Sequence, residues 1–237
     1  MTTLEVIKKG EQKMEIENNK MLTYVFPGQG VQSVGMGAEL FNKYNEYIQQ
    51  ADEILECSIK QLCLEDPDNC LSNTKYTQPA IYTVSALLYL EKIERTGIKP
   101  NFVAGYSLGE YSIMANAKSV FKEGGALRFI ELNVSGAFHS RYMEEARKNF
   151  EEYIKGFEYK TPQIVAYSNV TAKPHIASEI KEKLGKQMVS SVRWHEIISG
   201  LLNYPENQII EIGPGRGLAG LTKKIQREVR KMRGSSI

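Results

Sequence analysis

The chain has few of the residues that usually mark metal sites or disulfide scaffolds. Its 237 residues include three cysteines, three histidines and one tryptophan. Cys57, Cys63 and Cys70 are odd in number, unevenly spaced and without a Cys-x-x-Cys pair or a neighbouring histidine. This pattern argues against disulfides and a zinc site, so we expect reduced thiols, no bound metal and a cytoplasmic protein.

Strong charge and long apolar runs are also missing. The formal net charge is +2, which is too small to indicate a nucleic-acid partner. No apolar run reaches 18 residues, so no membrane span is expected. Basic residues do cluster near the end of the sequence. They are Lys223, Lys224, Arg227, Arg230, Lys231 and Arg233. The simplest interpretation is a solvated helix face, and the alternative is a surface that contacts an acidic protein partner.

The chain is expected to have three segments. Residues 1–20 are rich in Lys, Glu and Asn and contain no apolar signal core, so we expect a disordered or loosely ordered extension rather than a secretory signal. Residues 21–229 should form the folded part, and residues 230–237 a basic tail. The ordinary hydrophobic and charged fractions, 42% and 24%, suit a globular domain.

Strand and helix signals alternate along the folded part. This alternation predicts an α/β fold with a mainly parallel sheet and helices on both faces. Five prolines (Pro27, Pro79, Pro162, Pro174 and Pro214) are expected at element boundaries. Strands are predicted near 22–26, 102–104, 164–167 and 208–212, and helices through 80–93, over 141–157 and from residue 218.

The most informative motif is Gly-Tyr-Ser-Leu-Gly at 105–109. It follows the apolar run 102–104 and precedes helix-compatible residues, and strand, sharp turn and helix form the context of a nucleophile elbow. Such a turn exposes the hydroxyl of Ser107 and places the following N–H groups at a helix N-terminus, where an oxyanion can bind. The motif therefore predicts an α/β-hydrolase-like subdomain with a serine nucleophile.

A serine hydroxyl needs a base within hydrogen-bond reach. The chain offers His139, His175 and His195. His139 lies in a stretch of small residues suited to a tight loop, whereas His175 follows a proline in a polar stretch and His195 lies on a predicted helix. An isolated histidine is more often structural than catalytic, which is our interpretation of His175 and His195.

Several stretches in collinear order carry a family resemblance. They are Thr-Tyr-Val-Phe-Pro-Gly-Gln-Gly at 23–30, Tyr-Thr-Gln-Pro-Ala at 76–80, the elbow motif, Val-Ser-Gly-Ala-Phe-His-Ser at 134–140, Tyr-Ser-Asn-Val at 167–170 and Glu-Ile-Gly-Pro-Gly at 211–215. Over about residues 21–229 the chain resembles the malonyl-CoA:acyl carrier protein transacylases and the acyltransferases that serve polyketide synthases in trans.

The chain departs from this family in one place. Ser107 and His139 are 32 positions apart, whereas in the family a small ferredoxin-like subdomain lies between them. The sequence looks joined near residues 129–130, so most of that subdomain is expected to be absent. The family arginine that holds the malonyl carboxylate should follow Arg128, where this chain has Glu131, Leu132 and Asn133. Arg128 matches a different family arginine.

The resemblance implies roles for the site residues. His139 would be the base, and the backbone carbonyl of Gln187, seven residues before Trp194, would orient it. The N–H groups of Leu108 and Gln29 would form the oxyanion hole. Two further side chains would contact the substrate: Gln78 lines the thioester site or simply caps a helix, and Phe138 favours malonyl over methylmalonyl.

Three functions remain open. The first is transfer of malonyl from coenzyme A to the phosphopantetheine thiol of an acyl carrier protein, with no bound cofactor, in polyketide or fatty acid biosynthesis. The second is an editing hydrolase that clears acyl groups from carrier proteins, since such enzymes lack the carboxylate-binding arginine. The third is a truncated, catalytically impaired homologue that serves as a binding module.

Overall fold

A central parallel sheet organises the molecule. The computed structural model describes residues 21–110 and 138–234. Within them, four strands form a sheet in the order β3–β2–β1–β4, all parallel. Their bounds are Leu22–Phe26 for β1, Phe102–Gly105 for β2, Val165–Tyr167 for β3 and Gln208–Glu211 for β4. In the central strand, Thr23 pairs with Phe102 on one side and Ile209 on the other.

Helices connect the strands, as a parallel sheet requires. Between β1 and β2 lie α1 (Ala38–Phe41), α2 (Asn45–Leu55), α3 (Ile59–Leu64) and α4 (Thr74–Thr96). The later helices are α5 (Glu144–Ile154), α6 (Ile180–Gln187), α7 (Trp194–Leu201) and α8 (Gly217–Gly234), with 3₁₀ turns at Arg141–Met143 and Ala177–Glu179. Residues 108–110 are also helical.

Alternating side chains of the strands pack to opposite faces of the sheet. On β1, Tyr24 and Phe26 join a cluster with Tyr89 of α4 and with Ile180 and Leu184 of α6. On the other face, Val25 joins a cluster with β2 and helices α7 and α8, which includes Phe102, Ala104, Trp194, Ile197, Ile198, Leu201, Leu218 and Ile225. Burying each large apolar side chain contributes about 1.5–3 kcal/mol. The predicted α/β fold with helices on both faces of the sheet is confirmed.

A separate apolar cluster lies away from the sheet. Helices α1–α3 pack against α4, and we call this group the helical layer. Its fully buried side chains include Phe41, Ile59 and Cys63. None of the described helices is long and apolar enough to cross a membrane.

Helix α4 corrects one expectation. Asn73 caps its start by accepting a hydrogen bond from the Lys75 N–H, and Gly97, at φ 66°, ends it. Pro79 lies inside this helix, so its expected place at a boundary was wrong. An interior proline costs about 3 kcal/mol. The burial of Ala80, Ile81 and neighbouring residues of this 23-residue helix outweighs that local cost.

The predicted extension (1–20), the junction near 129–130 and Arg128 lie outside the described residues. The division into 1–20, 21–229 and 230–237 stays a prediction.

Candidate active site

Steric crowding explains the two glycines of the elbow motif. Strand β2 ends at Gly105, and the helical segment begins at Leu108. A Cβ on Gly105 would lie 1.9 Å from the carbonyl carbon of Gly109, and a Cβ on Gly109 would lie 2.2 Å from the Phe26 carbonyl oxygen. Between them Ser107 has φ 54°, a left-handed conformation that non-glycine residues rarely adopt. The local geometry is that of a strained strand-to-helix turn.

His139 lies beside the serine. Its Nε2 is 2.7 Å from the Ser107 Oγ. Its Nδ1 is 2.9 Å from the Gln187 carbonyl oxygen and 3.1 Å from that of Ser190. Because a carbonyl only accepts, Nδ1 carries the hydrogen and the Nε2 lone pair faces the serine hydroxyl. The arrangement suits proton transfer from Ser107 to His139.

Backbone contacts also hold the loop that carries His139. The His139 N–H donates to the Met188 carbonyl at 2.9 Å, and His139 has φ 62°. Phe138, directly before it, is half-buried. The end of α6 therefore fixes both the backbone and the ring of His139.

The turn after β1 packs against the elbow. A Cβ on Gly28 would lie 2.8 Å from the Tyr106 carbonyl oxygen. The next residue, Gln29, donates from Nε2 to the Thr74 hydroxyl at 3.3 Å and accepts from the Gln78 Nε2 at 3.1 Å. The structure thus brings Gln29 and Gln78 together, while the oxyanion role of the Gln29 and Leu108 N–H groups stays a prediction.

A buried polar group under the elbow was not anticipated from the sequence. Glu110, Asn169 and His175 are at most 5% exposed. His175 Nε2 lies 2.7 Å from Glu110 Oε1, and Asn169 contacts both Glu110 and the elbow backbone. One signal could have found it: the carboxyl ends of parallel strands share one edge of a sheet, and both Glu110 and Asn169 follow neighbouring strands.

The remaining histidine and the cysteines lie elsewhere. His195 is on α7, with its Nε2 3.2 Å from Glu228. Cys57, Cys63 and Cys70 are free thiols, and burial raises the pKa of Cys63 to about 12. In the part of the chain that the structure describes, no three His, Cys, Asp or Glu side chains are grouped so as to hold a metal ion.

Known proteins match this chain along most of its length. The family model described as "Acyl transferase domain" matches residues 23–131. The polyketide biosynthesis malonyl CoA-acyl carrier protein transacylase PksC of Bacillus subtilis (strain 168) is 36% identical, and the match covers 90% of this chain and 99% of PksC.

Solved structures agree with the sequence matches. The malonyl CoA-acyl carrier protein transacylase from Burkholderia pseudomallei superimposes with a TM-score of 0.77 at 29% identity, covering 88% of this chain and 98% of that one. A malonyl-transacylase solved in complex with a type II polyketide synthase acyl-carrier protein (PlMCAT:AntF) superimposes with a TM-score of 0.73 at 26% identity. The match covers 87% of this chain and 93% of that one.

The match to PksC also bears on the expected deletion. The alignment is 286 positions long and this chain has 237 residues, so at least 49 residues of PksC, the difference, have no counterpart here. The family-model match ends at residue 131, next to the junction expected near 129–130. A shortened small subdomain is consistent with both observations.

Proposed function

We propose that this chain, which belongs to the malonyl CoA-acyl carrier protein transacylase family, transfers malonyl from coenzyme A to the phosphopantetheine thiol of an acyl carrier protein. The observation that carries the proposal is the hydrogen-bonded series from Ser107 Oγ through the His139 ring to the Gln187 carbonyl. The coenzyme A thioester is a substrate, and we propose that no cofactor is bound. The reaction serves polyketide or fatty acid biosynthesis in the cytoplasm.

In the first half-reaction, Ser107 Oγ attacks the thioester carbonyl carbon while His139 Nε2 takes the hydroxyl proton. The resulting imidazolium is stabilised by the Gln187 and Ser190 carbonyls at Nδ1. The N–H groups of Leu108 and Gln29 stabilise the tetrahedral oxyanion. The C–S bond then breaks, the departing thiolate takes the proton from Nε2, and malonyl remains as an ester on Ser107.

The second half-reaction reverses these steps with a different thiol. The phosphopantetheine thiol of the carrier protein gives its proton to His139 Nε2 as its sulfur attacks the ester carbonyl. The bond to Ser107 Oγ breaks, and the serine oxygen recovers the proton from Nε2. This is a ping-pong exchange of one thioester for another, with no net oxidation or reduction.

Two side chains contribute to substrate binding in this proposal. Gln78, hydrogen-bonded to Gln29, lines the thioester site beside the oxyanion hole. Phe138, next to His139, crowds an α-methyl group and so favours malonyl over methylmalonyl. A pocket distinguishes one methyl group by only about 1–3 kcal/mol, so this selection is a preference.

One observation favours a second function, hydrolysis of acyl groups on carrier proteins. At least 49 residues of PksC, the difference between the 286 aligned positions and the 237 residues here, have no counterpart in this chain. Loss of the small subdomain would remove the arginine that holds the malonyl carboxylate and would open the acyl-serine ester to water. We therefore expect slow loading and only a weak preference for malonyl over acetyl.

Intact-mass measurements with malonyl-CoA and acetyl-CoA, followed by addition of carrier protein, test both functions. A malonyl adduct on Ser107 that passes to the carrier protein supports transfer. Free acid released faster than the carrier protein is loaded supports hydrolysis. If neither thioester forms an adduct and no free acid is released, both proposals are wrong and the binding-module interpretation remains.

A further inference from the structure

A carboxylate is buried directly beneath the elbow. The side chains of Glu110 and His175 are both 0% exposed, and Glu110 Oε1 lies 2.7 Å from His175 Nε2. The other oxygen, Oε2, accepts from the Asn169 backbone N–H at 2.8 Å and from the Asn169 side-chain amide. An ionised carboxylate only accepts, so His175 donates from Nε2, and Glu110 receives three hydrogen bonds.

Asn169 connects this carboxylate to both sides of the nucleophile. Its Nδ2 donates to the Gly105 carbonyl at 2.7 Å, before Ser107, and its Oδ1 accepts from the Ser107 N–H at 3.3 Å. The same amide nitrogen contacts Glu110 Oε2, so the carboxylate fixes which end of the amide faces which backbone group. A rotated amide would place NH₂ against the Ser107 N–H, two donors facing each other.

We propose that Glu110 and His175 are positioning residues for the nucleophile: acting through Asn169, they hold Ser107 in the left-handed conformation that directs its hydroxyl at His139. This inference rests on the role of Ser107 proposed above. Neither side chain touches the reacting atoms.

The reason for such support lies in the turn itself. Ser107 is a non-glycine residue at φ 54°, a conformation that persists only where surrounding contacts impose it. Its hydroxyl must stay within hydrogen-bond distance of His139 Nε2, now 2.7 Å. A displacement of about 1 Å in a reacting group can lower a rate about 10²-fold. Without the His175 donor, a buried oxygen of Glu110 has lost a partner, and the carboxylate no longer has one preferred orientation.

Two substitutions of His175 separate positioning from packing. His175→Leu fills the space but removes the donor, whereas His175→Gln can still donate an N–H to Glu110 Oε1. The experiment measures the rate of acyl-Ser107 formation by rapid-quench intact mass at several malonyl-CoA concentrations. The melting temperature of each variant is recorded, and rates are compared well below it.

The expected result is a change in maximal rate without a change in substrate affinity. His175→Leu should lower the maximal acylation rate roughly 10–100-fold, while the half-saturating malonyl-CoA concentration stays within about twofold. His175→Gln should recover to within about threefold of wild type. If folded His175→Leu acylates at the wild-type rate, or if only its half-saturating concentration changes, the inference is overturned.

A second variant and a second reagent cover the other outcomes. If His175→Leu does not fold, Glu110→Gln provides the same comparison, since its amide cannot accept three hydrogen bonds. Labelling by a serine-directed fluorophosphonate reports on Ser107 without any acyl donor. A wild-type chain that resists the reagent overturns the proposed function together with this inference. A wild-type chain that is labelled no faster than His175→Leu overturns this inference alone.

Discussion

The elbow and the helical layer both contain left-handed residues, but they hold them in different ways. In the helical layer Glu56 (φ 54°) and Asn69 (φ 52°) are exposed turn residues. The turn that contains Asn69 is closed by Asp66 Oδ1, which accepts from the N–H groups of Cys70 and Leu71, four and five residues away. These turns are local structures.

The left-handed residues of the candidate active site, Ser107 in the elbow and His139 beside it, depend on distant parts of the chain. The Ser107 N–H bonds to Asn169, 62 residues away, and the Ser107 carbonyl accepts from the side chain of Gln187, 80 residues away. His139 (φ 62°) is held by the end of α6. The active geometry is therefore a product of the whole fold, whereas the helical layer contributes apolar burial. Substitutions in the two regions should separate activity from stability.

Replacing Ser107, the proposed nucleophile, should have the largest effect. Ser107→Ala should abolish the covalent acyl adduct, because acylation needs the hydroxyl beside His139 Nε2. The matched control is Ser199→Ala, since the Ser199 hydroxyl also lies beside a histidine, 3.5 Å from His195 Nδ1, but on an ordinary helix. Intact mass after incubation with malonyl-CoA measures both. A full-occupancy adduct on Ser107→Ala would contradict the assignment.

Replacing His139, the proposed base, should have the second-largest effect. His139→Ala should lower the acylation rate about 10²–10⁴-fold, the usual contribution of general-base assistance. Single-turnover rates with malonyl-CoA measure this effect. His195→Ala, which changes an exposed histidine paired with Glu228, should leave the rate unchanged. Equal losses in the two variants would show that His139 has no special role.

Removing a core side chain of the helical layer should lower stability and leave the chemistry intact. Phe41 is 1% exposed. Phe41→Ala should lower the free energy of unfolding by about 3–5 kcal/mol, measured by urea denaturation. Ile54→Ala, at a position 50% exposed on α2, should change it by about 0.5 kcal/mol or less. The acylation rate of folded Phe41→Ala should stay within about twofold of wild type. A loss comparable to that of His139→Ala would show that the regions are coupled.

The helical layer should also weaken at high pH. Burial raises the pKa of the Cys63 thiol to about 12, from a usual value of 9.0. The folded state therefore keeps the proton over a range in which the unfolded state has lost it. This contribution is complete below pH 9 and is lost as the pH rises towards 12, by about 1.4 kcal/mol per pH unit. Urea denaturation between pH 9 and 11 should show that the free energy of unfolding falls more steeply in wild type than in Cys63→Ala, by about this slope. The variant still falls with pH because burial also raises the pKa of Tyr82 to about 12.

Local patterns made much of the fold predictable from the sequence. The strands and the long helix α4 follow from apolar runs and spacing, and the elbow follows from two glycines at fixed offsets from Ser107. The prediction that Pro79 lies at an element boundary is wrong, because the rule that proline breaks helices considers only the local backbone and not the burial of the helix around it.

Contacts between distant residues were harder to predict. The Glu110–His175 contact joins residues 65 apart and leaves no periodic pattern in the sequence. The approach of the Gln187 carbonyl to His139, 48 residues away, was expected only from the family resemblance. Such contacts can be predicted from a single sequence only when the strand order is already known, because the strand order determines which loops meet at one edge of the sheet.

Only a small effect is expected at Gln187, because in our proposal its backbone carbonyl and not its side chain orients His139. Its side chain is 1% exposed, with Nε2 3.4 Å from the Ser107 carbonyl, and Oε1 has no hydrogen-bond partner among residues 21–110 and 138–234. Alanine keeps the carbonyl 2.9 Å from His139 Nδ1 and removes an unpaired buried oxygen, which offsets part of the lost packing. The acylation rate of Gln187→Ala should stay within about threefold of wild type, because the weak 3.4 Å contact is all that the elbow loses. A loss as large as that of His139→Ala would show that the side chain, and not only its carbonyl, holds the elbow in place.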